Sequence, residues 1–374
     1  MKAAGYETSL FGKLHVNNFC KDLRSQRSLA EAHGYSIVDE LPGPRTYATF
    51  KSSYYDYLEN KGLLEVYRQD MERRYRYGHV YDSSPTPLEI RDYADVYIAE
   101  RAIDYLSGIP TGRKWLCTVS FGGPHDPWDT PAKYKDLYSN NIPPKSLDKP
   151  FDMNPDRPKG VYDEILNGKY DPGLTNDILG MTEKDIMELR RSYYGHVTLI
   201  DEQIGRIIGV LKDRGLYEDT MIVFTSDHGE QNGDYGLLFK QTFFESSVRV
   251  PLIIRIPGTE PSKVIGAVSL MDVGPTICEA ADVEGEHGHA ESLLNAIHAG
   301  VAEEKTIISQ LFGETMILKN GVKAVVNKEG KIYLLFDLNE DPFEKRNLAG
   351  CSLPLERMME HEYSDVISRI GNEV

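Results

Sequence analysis

Residues 220–230 read Thr-Met-Ile-Val-Phe-Thr-Ser-Asp-His-Gly-Glu. Met221, Ile222, Val223 and Phe224 lie between two threonines, a short apolar run with the length and composition of a buried strand. The chain then turns through Ser226-Asp227-His228-Gly229-Glu230, which sets a carboxylate and an imidazole just past the strand's carboxyl end. In an open α/β sheet, ligands bind there. The same arrangement occurs twice more. One copy is Thr8-Ser9-Leu10-Phe11-Gly12-Lys13-Leu14-His15; the other is the apolar run 115–121 followed by Gly122-Gly123-Pro124-His125-Asp126-Pro127. The three loops are expected to converge on one site. With Lys240 they supply the lysines Lys13 and Lys240, the histidines His15, His125 and His228, and Asp227. That inventory suits a metal-assisted attack on a tetrahedral oxyanion.

Outward from these loops, the pattern alternates. A helix is expected over residues 183–214, with Ile186, Leu189, Tyr193, Val197, Ile200, Ile204, Ile207 and Leu211 as its apolar face. Thr182 with Asp185 caps its start and Gly215 its end. Another helix is expected over 87–106, with Gly108 beyond it, and a third strand over 250–256 before Pro257-Gly258. Residues 16–86, and above all the Tyr-, Arg- and Pro-rich stretch 41–90, read as irregular, as do the loops of 122–180. Alternating strands and helices imply an α/β layered fold, a central and mostly parallel sheet flanked by helices. From about residue 303 the character changes: 322–326 and 332–338 read as a hairpin across Asn327-Lys328-Glu329-Gly330, followed by a helix from about Leu353. The expected organisation is an α/β domain over 1–302 and a small α+β subdomain over 303–374.

Composition narrows the function classes. The 374 residues are 40% hydrophobic and 27% charged, and no apolar run approaches the roughly 20 residues of a spanning helix. A net charge of −16 argues against nucleic acid or an anionic membrane surface as partner. Positive charge that meets an anionic substrate must therefore be focused by a few lysines or a metal. Cys20, Cys117, Cys278 and Cys351 form no C-x-x-C pair and read as free thiols, Cys117 as a small core residue. No apolar h-region follows Met1, so no signal peptide is visible; a soluble protein of the cytoplasm, the periplasm or the secreted space stays open. A homo-oligomer stays open as well.

Each candidate also has a plainer reading. Lys13 and Lys240 taken singly are solvated lysines. His15 fits a satisfied core histidine and His125 a turn residue, and Asp227-His228 before a glycine fits a helix cap. His287 and His289 in Glu-Gly-Glu-His-Gly-His fit an exposed loop better than a metal site, and Asp201 and Glu202 the solvated face of the long helix.

The set as a whole resembles the sulfatase family of the alkaline-phosphatase-like superfamily. Gly5-Tyr6-Glu7-Thr8, with Gly12-Lys13 and His15, matches every fixed position of the G-Y-x-T-x-x-x-G-K-x-H signature. The run 226–230, then 233–237, Lys240 and 247–255, is similar to the metal-binding strand and following segment of bacterial sulfatases. Pro124-His125-x-Pro127 is similar to the family's histidine loop, and Phe336-Asp337-Leu338 with Asp341-Pro342 and Asn347-Leu348 to its tail. The resemblance implies a sulfate-ester hydrolase acting on a small-molecule or carbohydrate sulfate. Asp227 and His228 become ligands of a divalent cation, implied to be calcium, with manganese or zinc left open by the imidazole. Lys13 and His15 sit beside the nucleophile, Lys13 also touching sulfate; His125 and Lys240 touch sulfate and help protonate the departing alcohol. A phosphonate monoester or phosphodiester hydrolase of the same superfamily, or an inactive copy, are the alternatives.

One departure stands out. The family carries, upstream of its G-Y-x-T signature, paired aspartates that complete the metal site and a C/S-x-P-x-R segment whose Cys or Ser becomes the formylglycine nucleophile. None of the four cysteines begins such a segment. Met1 is thus expected to fall inside the fold, and the chain as given to lack substantial turnover for want of an activated nucleophile.

Overall fold

The computed structural model describes the chain except residues 17–20, 141–142, 149–150, 153, 167–179, 286 and 372–374. Two compact units divide it: residues 1–145, 181–221 and 256–258 form one, and residues 146–180, 222–255 and 259–374 the other.

The first unit is built on a parallel sheet in which β1 (Glu7–Lys13) runs between β2 (Ile37–Leu41) and β3 (Trp115–Ser120). Five residues of β1 in a row are buried, as expected of a strand covered on both faces. Gly12 sits opposite Ser120 with φ 103°, and a Cβ there would lie 1.9 Å from the Ser120 carbonyl oxygen. Only glycine lets the two strands approach so closely one residue before Lys13.

Between β2 and β3 run α2 (Ser53–Asn60), α3 (Leu64–Glu72) and α4 (Ala94–Gly108), after α1 (Arg27–Ala32) has joined β1 to β2. The expectation of an irregular stretch over 41–90, and of loops over 16–86, is corrected here. Ser52 caps α2 by accepting from the Tyr55 amide, and the tyrosines that obscured the apolar pattern are core residues. Tyr47, Tyr54 and Tyr67 are buried with Phe11, Leu41 and Ile98, and their rings supply apolar area that a binary pattern does not credit. Tyr54 donates its hydroxyl to the Asp92 carbonyl at 2.7 Å, and Tyr57 to Asp92 Oδ1 at 2.6 Å, which satisfies the polar tips. The same Asp92 belongs to a single 3-10 turn, so α4 begins at Ala94 rather than at 87 and includes Gly108.

The helix α5 (Glu183–Asp213) follows the sequence closely at its ends. Thr182 and Asp185 form the reciprocal capping box, and Gly215 takes φ 64°. Its buried face is shifted from the one expected. Leu189, Ile200 and Leu211 are buried, but Val197 is 45% exposed, and the inner face is completed by Ser192, His196, Leu199 and Gln203. Buried polar side chains with partners displaced an apolar one, and a hydrophobic pattern cannot register that substitution.

In the second unit, β4 (Ile222–Thr225) pairs antiparallel with β5 (Leu252–Arg255), with the short α6 (Glu245–Val248) just before β5. A four-stranded antiparallel sheet follows: β6 (Ile307–Leu311), β7 (Glu314–Lys319), β8 (Val322–Val326) and β9 (Ile332–Asp337), in the order β9-β8-β7-β6. The expected hairpin is β8–β9, turning through Asn327 to Gly330. Val322, Ala324 and Val326 pack toward α7 (Leu353–Gly371), whose Met359 is fully buried. On the opposite face, Val325, Leu334 and Phe336 pack against Leu237, Phe243 and Phe244. Every residue of β8 is buried, including Lys323.

Lys323 is retained there by charge. Its Nζ donates to the Phe243 carbonyl and to Glu245 Oε1, both at 2.8 Å, and is paired with the fully buried Glu344. Glu344 also accepts from the Glu245 amide at 2.7 Å and the Tyr235 hydroxyl at 3.2 Å. Burial raises the Glu344 carboxyl above its ordinary range, and Lys323 opposes that rise. Lys323→Met strands a buried carboxylate and is expected to cost about 3–5 kcal/mol of stability. Lys323→Met with Glu344→Gln is expected to recover part of the loss. Urea denaturation followed by circular dichroism reads both, and a loss below about 1 kcal/mol for the single variant contradicts the assignment.

Candidate functional site

Lys13 ends β1, and the loop of His125 leaves β3, its parallel neighbour; both groups thus lie past the same edge of one sheet. His15 follows two residues after Lys13, with φ 63°, and is exposed, so it is not a core histidine. His125 is mostly buried and its Nδ1 lies 2.8 Å from the Asp126 carbonyl and 3.0 Å from Asp126 Oδ1. Two acceptors at Nδ1 assign it the proton and make Nε2 the basic nitrogen.

Asp126 is itself held firmly. Its side chain is 1% exposed and accepts from Arg45 Nε at 2.5 Å, Arg45 Nη2 at 3.1 Å and the Tyr75 hydroxyl at 2.6 Å. Burial alone raises its carboxyl, but the His125 ring and the Arg45 guanidinium outweigh that and hold it well below the usual carboxylate range. On the other side of the loop, Asp95 Oδ1 accepts from the amides of Gly122 at 2.7 Å and Gly123 at 3.3 Å. Asp95 Oδ2 lies 2.7 Å from His196 Nε2, and both side chains are nearly inaccessible. Arg45, Asp95 and His196 had no sequence signal: Asp95 and His196 sit on helices where polar residues read as solvated. Asp126 lies inside the Pro-His-Asp-Pro run, where nothing in the sequence sets it apart from a turn residue.

The other candidates belong to the second unit. Ser226 Oγ donates to the His228 carbonyl at 2.7 Å and the His228 amide to Asp227 Oδ1 at 3.0 Å, so the loop after β4 is a closed turn. His228 Nδ1 lies 2.8 Å from the Gly229 carbonyl, which leaves Nε2 the basic nitrogen, 3.4 Å from Asp227 Oδ2. A lone-pair nitrogen and a carboxylate oxygen at that spacing fit two ligands of one cation, and the carbonyl behind Nδ1 is the usual outer support of such a histidine. Among the described residues no group of three metal-ligating side chains occurs. Lys240 is tied to this loop through backbone pairing of Gln231 with Phe239 at 2.9 Å and Gly233 with Leu237 at 2.8 Å. The buried Gln231 side chain adds bonds to Thr242 and Ser247 at 2.5 and 2.8 Å.

The plainer readings hold for the rest. Asp201, Glu202 and His289 are exposed. Cys117, Cys278 and Cys351 are free, and Cys20 lies outside the described residues. Burial pushes the Cys117 thiol up to about 11, which suits a packing residue of β3 and not a nucleophile.

An α/β sheet with polar loops past its strand ends places a ligand site there, and comparison with known proteins gives the family. Residues 1–283 match the model of the sulfatase family, and the chain belongs to it. The family comprises sulfuric ester hydrolases of the alkaline-phosphatase-like superfamily that use a divalent metal. The choline-sulfatase of Rhizobium meliloti is 32% identical over 93% of this chain and 66% of its own length. The multifunctional alkaline phosphatase superfamily protein PehA of Trinickia caryophylli is 27% identical over 94% and 74%. In fold, the phosphonate monoester hydrolase of Silicibacter pomeroyi matches with a TM-score of 0.71 at 22% identity, over 98% of this chain and 78% of that one. The chain thus spans about two thirds to three quarters of the length of these relatives. Among the described residues no helix is long and apolar enough to cross a membrane.

The Arg45–Asp126 pair has a pH signature. Asp126's folded value lies below its unfolded value of about 3.9, so its contribution is full above that pH and is lost as pH falls through the folded value. Arg45→Met is expected to lower stability at pH 7 by about 1–3 kcal/mol, with the gap to the parent closing below about pH 4. Urea denaturation at pH 7, 5 and 3 checks this; a gap that is constant with pH contradicts it.

Proposed function

We propose that this chain carries the substrate-facing machinery of a sulfuric ester hydrolase acting on a small organic or carbohydrate sulfate. The carrying observation is the placement of Lys13 and the Asp126-supported His125 past neighbouring parallel strands of one sheet. In this reading Lys13 and His125 bind the sulfate oxygens, and His15 stands beside the nucleophile. His125, through Nε2, and Lys240 carry the proton toward the departing alcohol, where negative charge develops as the S–O bond breaks. Asp227 and His228 hold a divalent cation, calcium by preference of the family, with manganese or zinc as the alternatives an imidazole ligand admits. That cation, when bound, polarises a sulfate oxygen. The nucleophile is assigned to a formylglycine in a C/S-x-P-x-R segment, which these 374 residues do not contain. Choline-sulfatase among the relatives supports a small organic sulfate as one substrate class.

Joined to a C/S-x-P-x-R segment, the chain is expected to cleave an aryl sulfate faster than the matching aryl phosphonate when calcium or manganese is supplied. Asp227→Ala is expected to weaken metal binding by calorimetry and to lower kcat at least about 100-fold. Lys240→Ala is expected to slow alkyl sulfates far more than activated aryl sulfates. Preference for the phosphonate favours the phosphonate hydrolase reading, and equal losses on alkyl and aryl esters contradict the leaving-group role of Lys240.

A further inference from the structure

Beside the His125 loop the first unit has a small pocket. Tyr47, Asp95, Asp129 and His196 line it, together with Gly123 and His125 of the loop. The space among these residues is of the size that one water molecule fills. Two buried atoms of these lining residues have no hydrogen-bond partner among the described residues, Tyr47 Oη and Asp129 Oδ2, although Tyr47 is 3% and Asp129 1% exposed. One is a donor and the other an acceptor. Buried polar groups of native proteins are almost always satisfied, by protein or by ordered water.

We propose that this cavity is a binding site for one water molecule, which accepts from Tyr47 Oη and donates to Asp129 Oδ2, making Tyr47 and Asp129 positioning residues for His125. The proposal rests on the reading of His125 as the sulfate-contacting, proton-carrying group. Water is the guest of the right size, able to accept from the phenol and donate to the carboxyl at once. Burial raises both the Asp129 carboxyl and the Tyr47 phenol, which agrees with a neutral guest.

The water closes a frame around the loop. Asp129 stands four residues after His125 and takes the Tyr93 hydroxyl at 2.7 Å on its other oxygen. The Tyr93 ring stacks edge-on against His196 at 5.4 Å, and His196 leads through Asp95 to the Gly122 and Gly123 amides. A Cβ at Gly123 would lie 2.0 Å from His196 Nε2, so the loop backbone rests directly on this pair. Asp126 holds the loop from the Arg45 side, and the water-filled frame holds it from the cavity side.

Crystal structures of the parent, this chain joined to a C/S-x-P-x-R segment, and of its Tyr47→Phe variant, at a resolution that shows waters, test this together with steady-state kinetics. The parent is expected to show one water within 3.2 Å of both Tyr47 Oη and Asp129 Oδ2. Tyr47→Phe is expected to lose it and to lower kcat on an alkyl sulfate roughly tenfold with KM within about twofold, as loss of orientation at the proton carrier requires. A dry cavity, or direct Tyr47–Asp129 bonding, in the parent overturns the water site even if the variant does not fold. An unchanged kcat in Tyr47→Phe overturns the positioning role. Absence of sulfate-ester cleavage by the parent overturns that role and the functional assignment together, while the density still decides the water site.

Discussion

A carboxylate offers two oxygens and about four lone-pair sites, and the first unit is organised around one that uses both oxygens in the dark. Asp95 stands at the start of α4, accepts the backbone of the loop after β3 with one oxygen, and meets His196 of α5 with the other. One side chain therefore ties two helices to the sheet edge where His125 emerges. Such a buried network is costly when incomplete, because every unpaired member loses its hydration without compensation. Gly12 serves the neighbouring strand in the same spirit, letting β1 and β3 close until Lys13 and the His125 loop share an edge.

The second unit solves its own version of the problem with Lys323. A five-residue buried strand admits a lysine only because Glu344, Glu245 and the Phe243 carbonyl meet its ammonium. Glu344 follows the Asp341-Pro342 of the tail motif, and Glu245 opens α6, just past the segment that bears Lys240. The sheet of the C-terminal region is therefore fastened to that segment by charge as well as by the packing of Phe243 and Phe244 on Leu334 and Phe336. A motif recognised in sequence as a tail signature has a physical office, which is to anchor.

Legibility followed the physics of each element. The long helix was plain because its capping box, its periodicity and Gly215 all agree, and the hairpin of β8 and β9 because apolar runs flank a turn sequence. The α2–α3 region was hidden by its tyrosines, which count as polar in a pattern and as apolar in the core. The candidate side chains at strand ends and in the loops after them, Lys13, His125, Asp227 and His228, stood out because charge interrupts apolar runs there. Their supports did not. Asp95, His196 and Arg45 are distant in sequence from the loop they hold, and a single charged residue on a helix looks the same whether it faces water or a buried partner.

With the role proposed for His125, Asp95 bears on catalysis by holding the Gly122–Gly123 backbone from which His125 emerges. A double-mutant cycle of Asp95→Ala and His125→Ala on kcat/KM for a sulfate ester tests it most directly, with each variant assayed below its unfolding temperature. A coupling of about 1–3 kcal/mol is expected, with Asp95→Ala costly in the parent and nearly silent once His125 is gone. Additive losses, with Asp95→Ala equally costly in both backgrounds, would contradict it.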